Sequence, residues 1–272
     1  MELIKSPYRV DAGLAITQAN FPALLHAFNF DSFPPGLLTG VAPNRIANIV
    51  STQLNDLVGT SHIDASVGGT WTAQESDRKL HCNDDVVNHF RAYTMQGPLF
   101  SSEAPSSKSR LLIYLGQLQA TTDPVALVGV GDESPSAAYI YGGATPSNGY
   151  VTVNAASSEM AAALPITSNA QHAYALYFPL SAVNYSPTWY CYKSGAGTVG
   201  STTGAANLVW SDALNFSNDI AFVTMASGST GMKGLYSFEF AQQLNDTMIK
   251  TILRWMACNP LKGLPPILKG MR

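Results

Sequence analysis

The chain has 272 residues and a formal net charge of −3, with 46% apolar and only 12% charged residues, about half the usual charged share of roughly 25%. That length suits one large domain with a substantial core, and the charge balance excludes the basic footprint of a nucleic-acid-binding protein. A surface so poor in charge must be carried by Ser, Thr, Asn and Gln, which suits an extracellular protein or a subunit of a large assembly.

Cys82, Cys191 and Cys258 form an odd set with no CxxC spacing. They argue against a disulfide framework and against a zinc site. They are expected as small apolar residues of a chain folded in a reducing compartment. The opening "MELIKSPYRVDAGLAITQ" carries no apolar core of a signal peptide. No run of 18 apolar residues occurs to span a membrane. The expectation is a protein made in a host cytoplasm and released without a signal peptide, as part of a virion.

In chain order, residues 1–59 are predicted to be an N-terminal arm or subdomain. Pro22, Pro34 and Pro35 break "ANFPALLHAFNFDSFPPGLL" and exclude a continuous helix or central strand. Ile46, Ile49, Val50, Leu54 and Leu57 follow at helical spacing, between a possible cap at Asn44 and a stop at Gly59. One helix is expected there.

Residues 60–258 then read as a sandwich. "HIDASVGGTWTAQ" is strand-like, and "KLHCNDDVVNHFRAYTM" is ambiguous. "SRLLIYLGQL", "PVALVGVGD", "AAYIYGG", "GYVTVNA", "HAYALYFPL", "TWYCYKS", "ANLVWSD", "DIAFVTMA" and "GLYSFEFA" are short strand patterns between Ser/Gly-rich loops. "KSGAGTVGSTTGA" reads as one of those loops. Along "GLYSFEF", Tyr236, Phe238 and Phe240 alternate with Leu235, Ser237 and Glu239, as in a strand with one buried face. Residues 246–256 carry an apolar stripe at Met248, Ile249, Ile252, Leu253, Trp255 and Met256, with Asn245 or Asp246 as cap. Pro260 should stop that helix. Residues 259–272 form a tail. The predicted class is all-β, a two-sheet antiparallel jelly-roll sandwich with an irregular N-terminal segment and a short C-terminal helix.

"IAFVTMASGSTGMKGLYSFEF" followed by "LNDTMIKTIL" resembles the end of a concanavalin A-like or laminin G-like jelly roll. "RLLIYLGQL…ALVGVGD…AAYIYGG" and "WYCYKSGAGTVG" resemble its central strands and hairpin. The hairpin departs from the family in carrying Lys193-Ser194-Gly195 where Asn-Gly is usual, and no lectin-type calcium pattern is evident. The resemblance implies a closing helix that plugs the open end of the sandwich. It also implies the company of tailed-bacteriophage virion proteins, lectins and glycosidases, so fold does not decide function.

No E-x-D-x-E triplet occurs, the pattern that sets acids two residues apart on one strand in glycosidases of this fold. Glu239 is expected as a lone solvated carboxylate, like Glu103, Glu133 and Glu159. His26, His62, His81, His89 and His172 show no ligand spacing. Asp84-Asp85 and Asp132-Glu133 read as solvated turns more readily than as calcium ligands. No cofactor, metal or catalytic residue is therefore expected. Aromatics remain: Tyr139, Tyr141, Trp189, Tyr190 and Tyr192 are either core or a platform for sugar rings.

These readings predict a non-enzymatic structural component of a tailed bacteriophage particle, at the tail tip or baseplate. The alternatives are a lectin-like receptor-binding module for host surface glycan, a capsid-decorating protein, and a glycan hydrolase. The expected partners are other virion subunits in an oligomeric assembly, plus a possible host glycan. Phe21, Phe28, Phe30 and Phe33, expected to dock on another subunit or on the sandwich flank, and Leu264, Ile267 and Leu268 in the tail are the candidate interface residues.

Overall fold

The computed structural model describes residues 14–29, 38–39, 46–49, 53–59, 62–64, 70–74, 79–83, 91–95, 100–101, 106–117, 125–130, 138–142, 149–153, 156–160, 171–180, 184–185, 188–193, 199–203, 208–209, 220–224, 230–259 and 263–272. The first strands are β1 (Leu24–Asn29), β2 (Leu38–Thr39), β3 (Ile46–Ile49), β4 (Gln53–Asn55), β5 (His62–Asp64), β6 (Thr70–Gln74), β7 (Lys79–Asn83) and β8 (Arg91–Met95). The central ones are β9 (Ser109–Gln117), β10 (Val125–Val130), β11 (Ala138–Gly142), β12 (Gly149–Val153), β13 (Ala156–Met160) and β14 (Gln171–Phe178). β15 (Asn184–Tyr185), β16 (Thr188–Lys193), β17 (Val199–Thr203), β18 (Leu208–Val209), β19 (Ile220–Thr224) and β20 (Thr230–Phe240) follow, and then the helix α1 (Asp246–Cys258).

The strands pair antiparallel in a ten-stranded sheet, an eight-stranded sheet and the small pair β15–β18. The large sheet runs β17-β16-β14-β9-β20-β7-β6-β3-β2. β20 is long enough to share one edge between two partners. Thr230–Met232 pairs with β7, and the stretch from Gly234 to Phe238 pairs with β1. Register slips between Met232 and Gly234. A Cβ at Gly234 would stand 2.8 Å from the Tyr236 ring, so only glycine lets that ring lie over the backbone. The smaller sheet runs β13-β12-β11-β10-β19-β8-β5-β4. The expected all-β antiparallel architecture with a short closing helix is what forms.

The helix expected between Asn44 and Gly59 is not formed. Ile46–Ile49 and Gln53–Asn55 are strands, paired with β6 and β5 respectively. The apolar spacing there fits a helix, but Ile46 and Ile49 are β-branched and find extended partners across the sheet. Val199–Thr203, expected as loop, is the edge strand beside β16. Leu24–Asn29, within the segment read as irregular, belongs to the large sheet through β20.

The hydrophobic cluster that the helix completes lies on one face of the large sheet. Ala27, Tyr236, Ile113, Ala175 and Tyr190 form one cross-strand row, and Leu24, Phe238, Leu111 and Tyr177 another. Ala173 and Ala175 carry only methyls, and α1 packs most closely over their strand and over β16. It buries Ile249, Ile252, Leu253 and Met256, worth roughly 1.5–3 kcal/mol each as an upper bound. Asn245 caps it, its side chain accepting from the Met248 N–H at 2.9 Å. The helix therefore covers the face of the sheet, instead of plugging the end of the sandwich. It ends at Cys258, before Pro260. Among the described residues no helix is long and apolar enough to cross a membrane.

The tail closes over the same core. Leu14 and Leu264 exchange backbone hydrogen bonds at 3.2 Å, Gly270 N–H donates to Asn20, and Ala241 N–H donates to the Arg272 carbonyl. Phe21, Phe28, Leu264 and Leu268 are buried to 1% exposure or less. Phe21 and Phe28 thus take the flank alternative of their expected docking, and the tail folds back onto its own domain, which buries Leu264 and Leu268 there instead of against a neighbouring subunit. Ile267 stays 40% exposed. Phe30 and Phe33 lie outside the described residues.

Candidate functional site

Residues 234–240 of β20 are buried on both faces, not on one. Leu235 and Ser237 are covered as fully as Tyr236 and Phe238, and Glu239 nearly so. Burial of a carboxylate demands a partner, and Arg110 on the neighbouring β9 supplies it. Arg110 Nε donates to Glu239 Oε1 at 2.8 Å, with side-chain exposures of 0% and 5%. The same oxygen accepts the Ser101 N–H at 2.9 Å. The expectation of a solvated Glu239 is thus corrected. The pair ties β9, β20 and the 100–101 segment together.

A second polar cluster sits at β1. His26 Nδ1 meets Asp56 Oδ2 at 2.7 Å. The other Asp56 oxygen accepts the Ala27 and Val58 N–H groups at 2.9 and 3.1 Å. A Cβ at Gly59 would come within 2.6 Å of Asp56 Oδ2, so glycine is needed where the carboxylate folds back. His26 is also the register partner of Ser237, whose buried Oγ has no hydrogen-bond partner. Ser237 thus stands beside the His26–Asp56 pair in register, but no hydrogen bond joins its Oγ to either, and it is 0% exposed. Asp56 is committed to His26 and to two backbone donors. The cluster clamps β1 to the turn at residues 56–59.

The five candidate aromatics do not form one platform. Tyr190 and Tyr192 lie on the helix side of the large sheet at 3% and 7% exposure, in the hydrophobic core. Burial raises the Tyr190 pKa, and the charge of Asp246 and a hydrogen bond to it raise it further. Tyr192 Oη lies 3.5 Å from Cys258 Sγ. Their role as a sugar platform is corrected: both are spent on seating α1. Trp189 alternates with them on β16, at the register position of Leu176 and Thr202; its side chain lies outside the described residues.

Tyr139 and Tyr141 belong to the other sheet. Register there separates two sets of positions. Ala138, Val130, Ile220, Met95, Ile63 and Leu54 are successive partners in one row, and every member is apolar. The adjacent row belongs to the opposite face, because successive strand positions alternate. It reads Ser157, Thr152, Tyr139, Gly129, Ala221, Thr94, Asp64 and Gln53. On that same face Tyr141 pairs with Tyr150, which pairs with Glu159. Three tyrosine positions thus gather on two adjacent strands, beside the positions of Thr152, Ser157 and Glu159. Tyr150 was missed in the sequence; its signal was the alternation "YVTV" in the strand pattern next after "YIY".

Among the described residues no group of three or more His, Cys, Asp or Glu could hold a metal ion.

No protein-family model and no curated protein matches this chain. Solved structures share its strand arrangement at low identity. Arcelin-5, a lectin-like defense protein from Phaseolus vulgaris, matches at 8% identity and a TM-score of 0.49, over 80% of this chain and 98% of its own. Peanut lectin matches at 10% identity and 0.47, over 78% and 96%. A Trypanosoma rangeli sialidase matches at 10% and 0.49 over 90% of this chain, which spans only 34% of the sialidase. At these scores the likeness bears on neither ligand nor activity.

Proposed function

We propose that this chain is a non-enzymatic, lectin-like module that binds a surface glycan through the polar face of the smaller sheet. The observation that carries this reading is the register that gathers Tyr139, Tyr141 and Tyr150 on that face beside Thr152, Ser157 and Glu159. Sugar C–H faces stack on aromatic rings, while hydroxyl and carboxyl groups take up their O–H groups. Among the described residues of this face, the carboxylate positions Glu159 and Asp64 are six strand spacings apart in the sheet, roughly 29 Å at about 4.8 Å per strand. Glycosidase acids stand about 5–9.5 Å apart. The test is a glycan array on the purified chain, followed by Tyr141→Ala and Tyr150→Ala. Binding that both variants weaken about tenfold or more supports the reading. An empty array, or binding indifferent to both, refutes it.

The second reading is a structural part of a virus particle, at a tail tip, baseplate or capsid surface. It is favoured by the 12% charged composition. Its described contact residues are mostly consumed in the chain's own core, leaving Ile267 exposed. Incorporation of an Ile267→Lys variant into particles would test it, with normal incorporation counting against that contact.

A further inference from the structure

We infer that β17, an end strand of the large sheet, is an interface at which a second copy of this chain adds its own β17 antiparallel, joining two large sheets across a two-fold axis at Ser201. The ground is how the fold treats its sheet edges. A strand at the end of a sheet carries a row of unpaired N–H and C=O groups, and natural edges are blunted by short strands, charges, proline, bulges or covering groups. Four strands end the two sheets, β17 and β2 in the large one, β13 and β4 in the smaller. β2 has two residues and β4 three. β13 carries Glu159. The outer side of β1 is covered: Asp56 Oδ1 accepts the Ala27 N–H at 2.9 Å, and the Leu57 N–H donates to the Ala27 carbonyl at 2.9 Å. β17 shows none of these devices among the described residues. Its five residues, Val199 to Thr203, include no charge and no proline. They pair with β16 in unbroken register, from Thr203 opposite Thr188 to Val199 opposite Tyr192. Among the described residues nothing pairs with its other side.

What completes such an edge is another extended strand, and charge and symmetry favour a second copy. The chain's net charge of −3 opposes self-association, but residues 194–211 are an unbroken uncharged run. Two copies therefore meet along β17 without like charges facing each other. A pair centred on Ser201 is self-complementary. Val199 stands opposite the partner's Thr203 and Ser201 opposite the partner's Ser201, so all five positions pair. Residues directly opposite share a face. Val199, Ser201 and Thr203 belong to the face that α1 covers, because they are the register partners of Tyr192, Tyr190 and Thr188. α1 reaches over β17, and Val199 is half-buried against the hydrophobic cluster that the helix seals. Pairing brings the position of the partner's Thr203 opposite it, so the face under α1 continues into the second copy. The pairing does not depend on the glycan-binding face of the smaller sheet.

The experiment is sedimentation velocity on the purified full chain, from dilute solution up to its solubility limit. The expected result is a concentration-dependent equilibrium between monomer and dimer. Ser201→Lys sets two like charges opposite each other at the axis and should raise the dimer dissociation constant at least about tenfold. Cys258 is exposed, so the cross-linking arm uses a Cys258→Ser background. There Ser201→Cys should form an intermolecular disulfide under mild oxidation, which Cys258→Ser alone does not form. Directly opposite residues of an antiparallel pair have Cα atoms about 4.5–5.5 Å apart, within disulfide reach. Circular dichroism checks the fold of each variant, and the conservative Ser201→Cys decides the matter if Ser201→Lys does not fold. A chain that stays monomeric up to its solubility limit overturns the inference. So does a dimer that a folded Ser201→Lys variant leaves unweakened, or one that Ser201→Cys does not cross-link.

Discussion

Replacing Glu239 by Gln keeps the shape of the side chain and removes its charge. In the folded protein Glu239 Oε1 accepts from Arg110 Nε at 2.8 Å and from the Ser101 N–H at 2.9 Å. Hydrogen bonds to a charged group are worth about 1.5–3 kcal/mol, against about 0.5–1.5 for neutral ones. The Ser101 bond loses its charge assistance, worth about 1 kcal/mol, while the Arg110 bond keeps an ionised donor. The buried guanidinium also loses its carboxylate, and breaking such pairs costs about 3–5 kcal/mol in all. The expected loss is therefore about 3 kcal/mol. It is read as a fall of roughly 1 M in the urea midpoint with the slope unchanged. Replacing both members together, in Arg110→Met/Glu239→Leu, should cost less than Glu239→Gln alone, because both charges leave together. A loss below about 0.5 kcal/mol for Glu239→Gln would mean that the pair behaves like a surface ion pair, and the buried-pair argument would fail.

Deleting residues 263–272 removes buried Leu264 and Leu268 together with their backbone bonds, so the isolated chain should lose about 3–6 kcal/mol. An unchanged thermal midpoint would contradict the packing of the tail on its own domain. Stability should also fall at alkaline pH. Burial, aided by Cys191 and Tyr114, holds the Tyr174 pKa well above its ordinary value, and burial likewise raises Tyr177 and Tyr190. An unfolded tyrosine ionises near pH 10 while these stay protonated. Their contribution is complete below that pH and is lost as the pH climbs toward the folded values, by about 1.4 kcal/mol per pH unit for Tyr174 alone. Urea midpoints that stay flat above about pH 10 would refute this.

Strand existence was legible wherever apolar runs met turn residues, as in β9, β14 and β20. The helix was legible from its stripe and Asn245. What local pattern could not show was pairing. The helix-like spacing after Asn44 yielded to cross-strand partners at β6 and β5. Glu239 looked solitary because its partner Arg110 lies 129 positions away in the chain. Tyr190 and Tyr141 looked equivalent as strand tyrosines, yet one seats α1 and the other sits in a different sheet. The tail's apolar residues suggested a partner because nothing local revealed that Leu14 would receive Leu264. The candidate site was half visible: Tyr139 and Tyr141 stood out, while Tyr150, Thr152 and Glu159 join them only through register.

Amide hydrogen exchange with and without a saturating glycan that the array identifies tests the glycan-binding face most directly. The account predicts slowed exchange in peptides covering β10 to β13, residues 125–160. The peptides of α1 and β16 should be unchanged, since Tyr190 and Tyr192 are buried there. Slowing confined to β16 and α1, or absent from residues 138–160 at saturation, would contradict it.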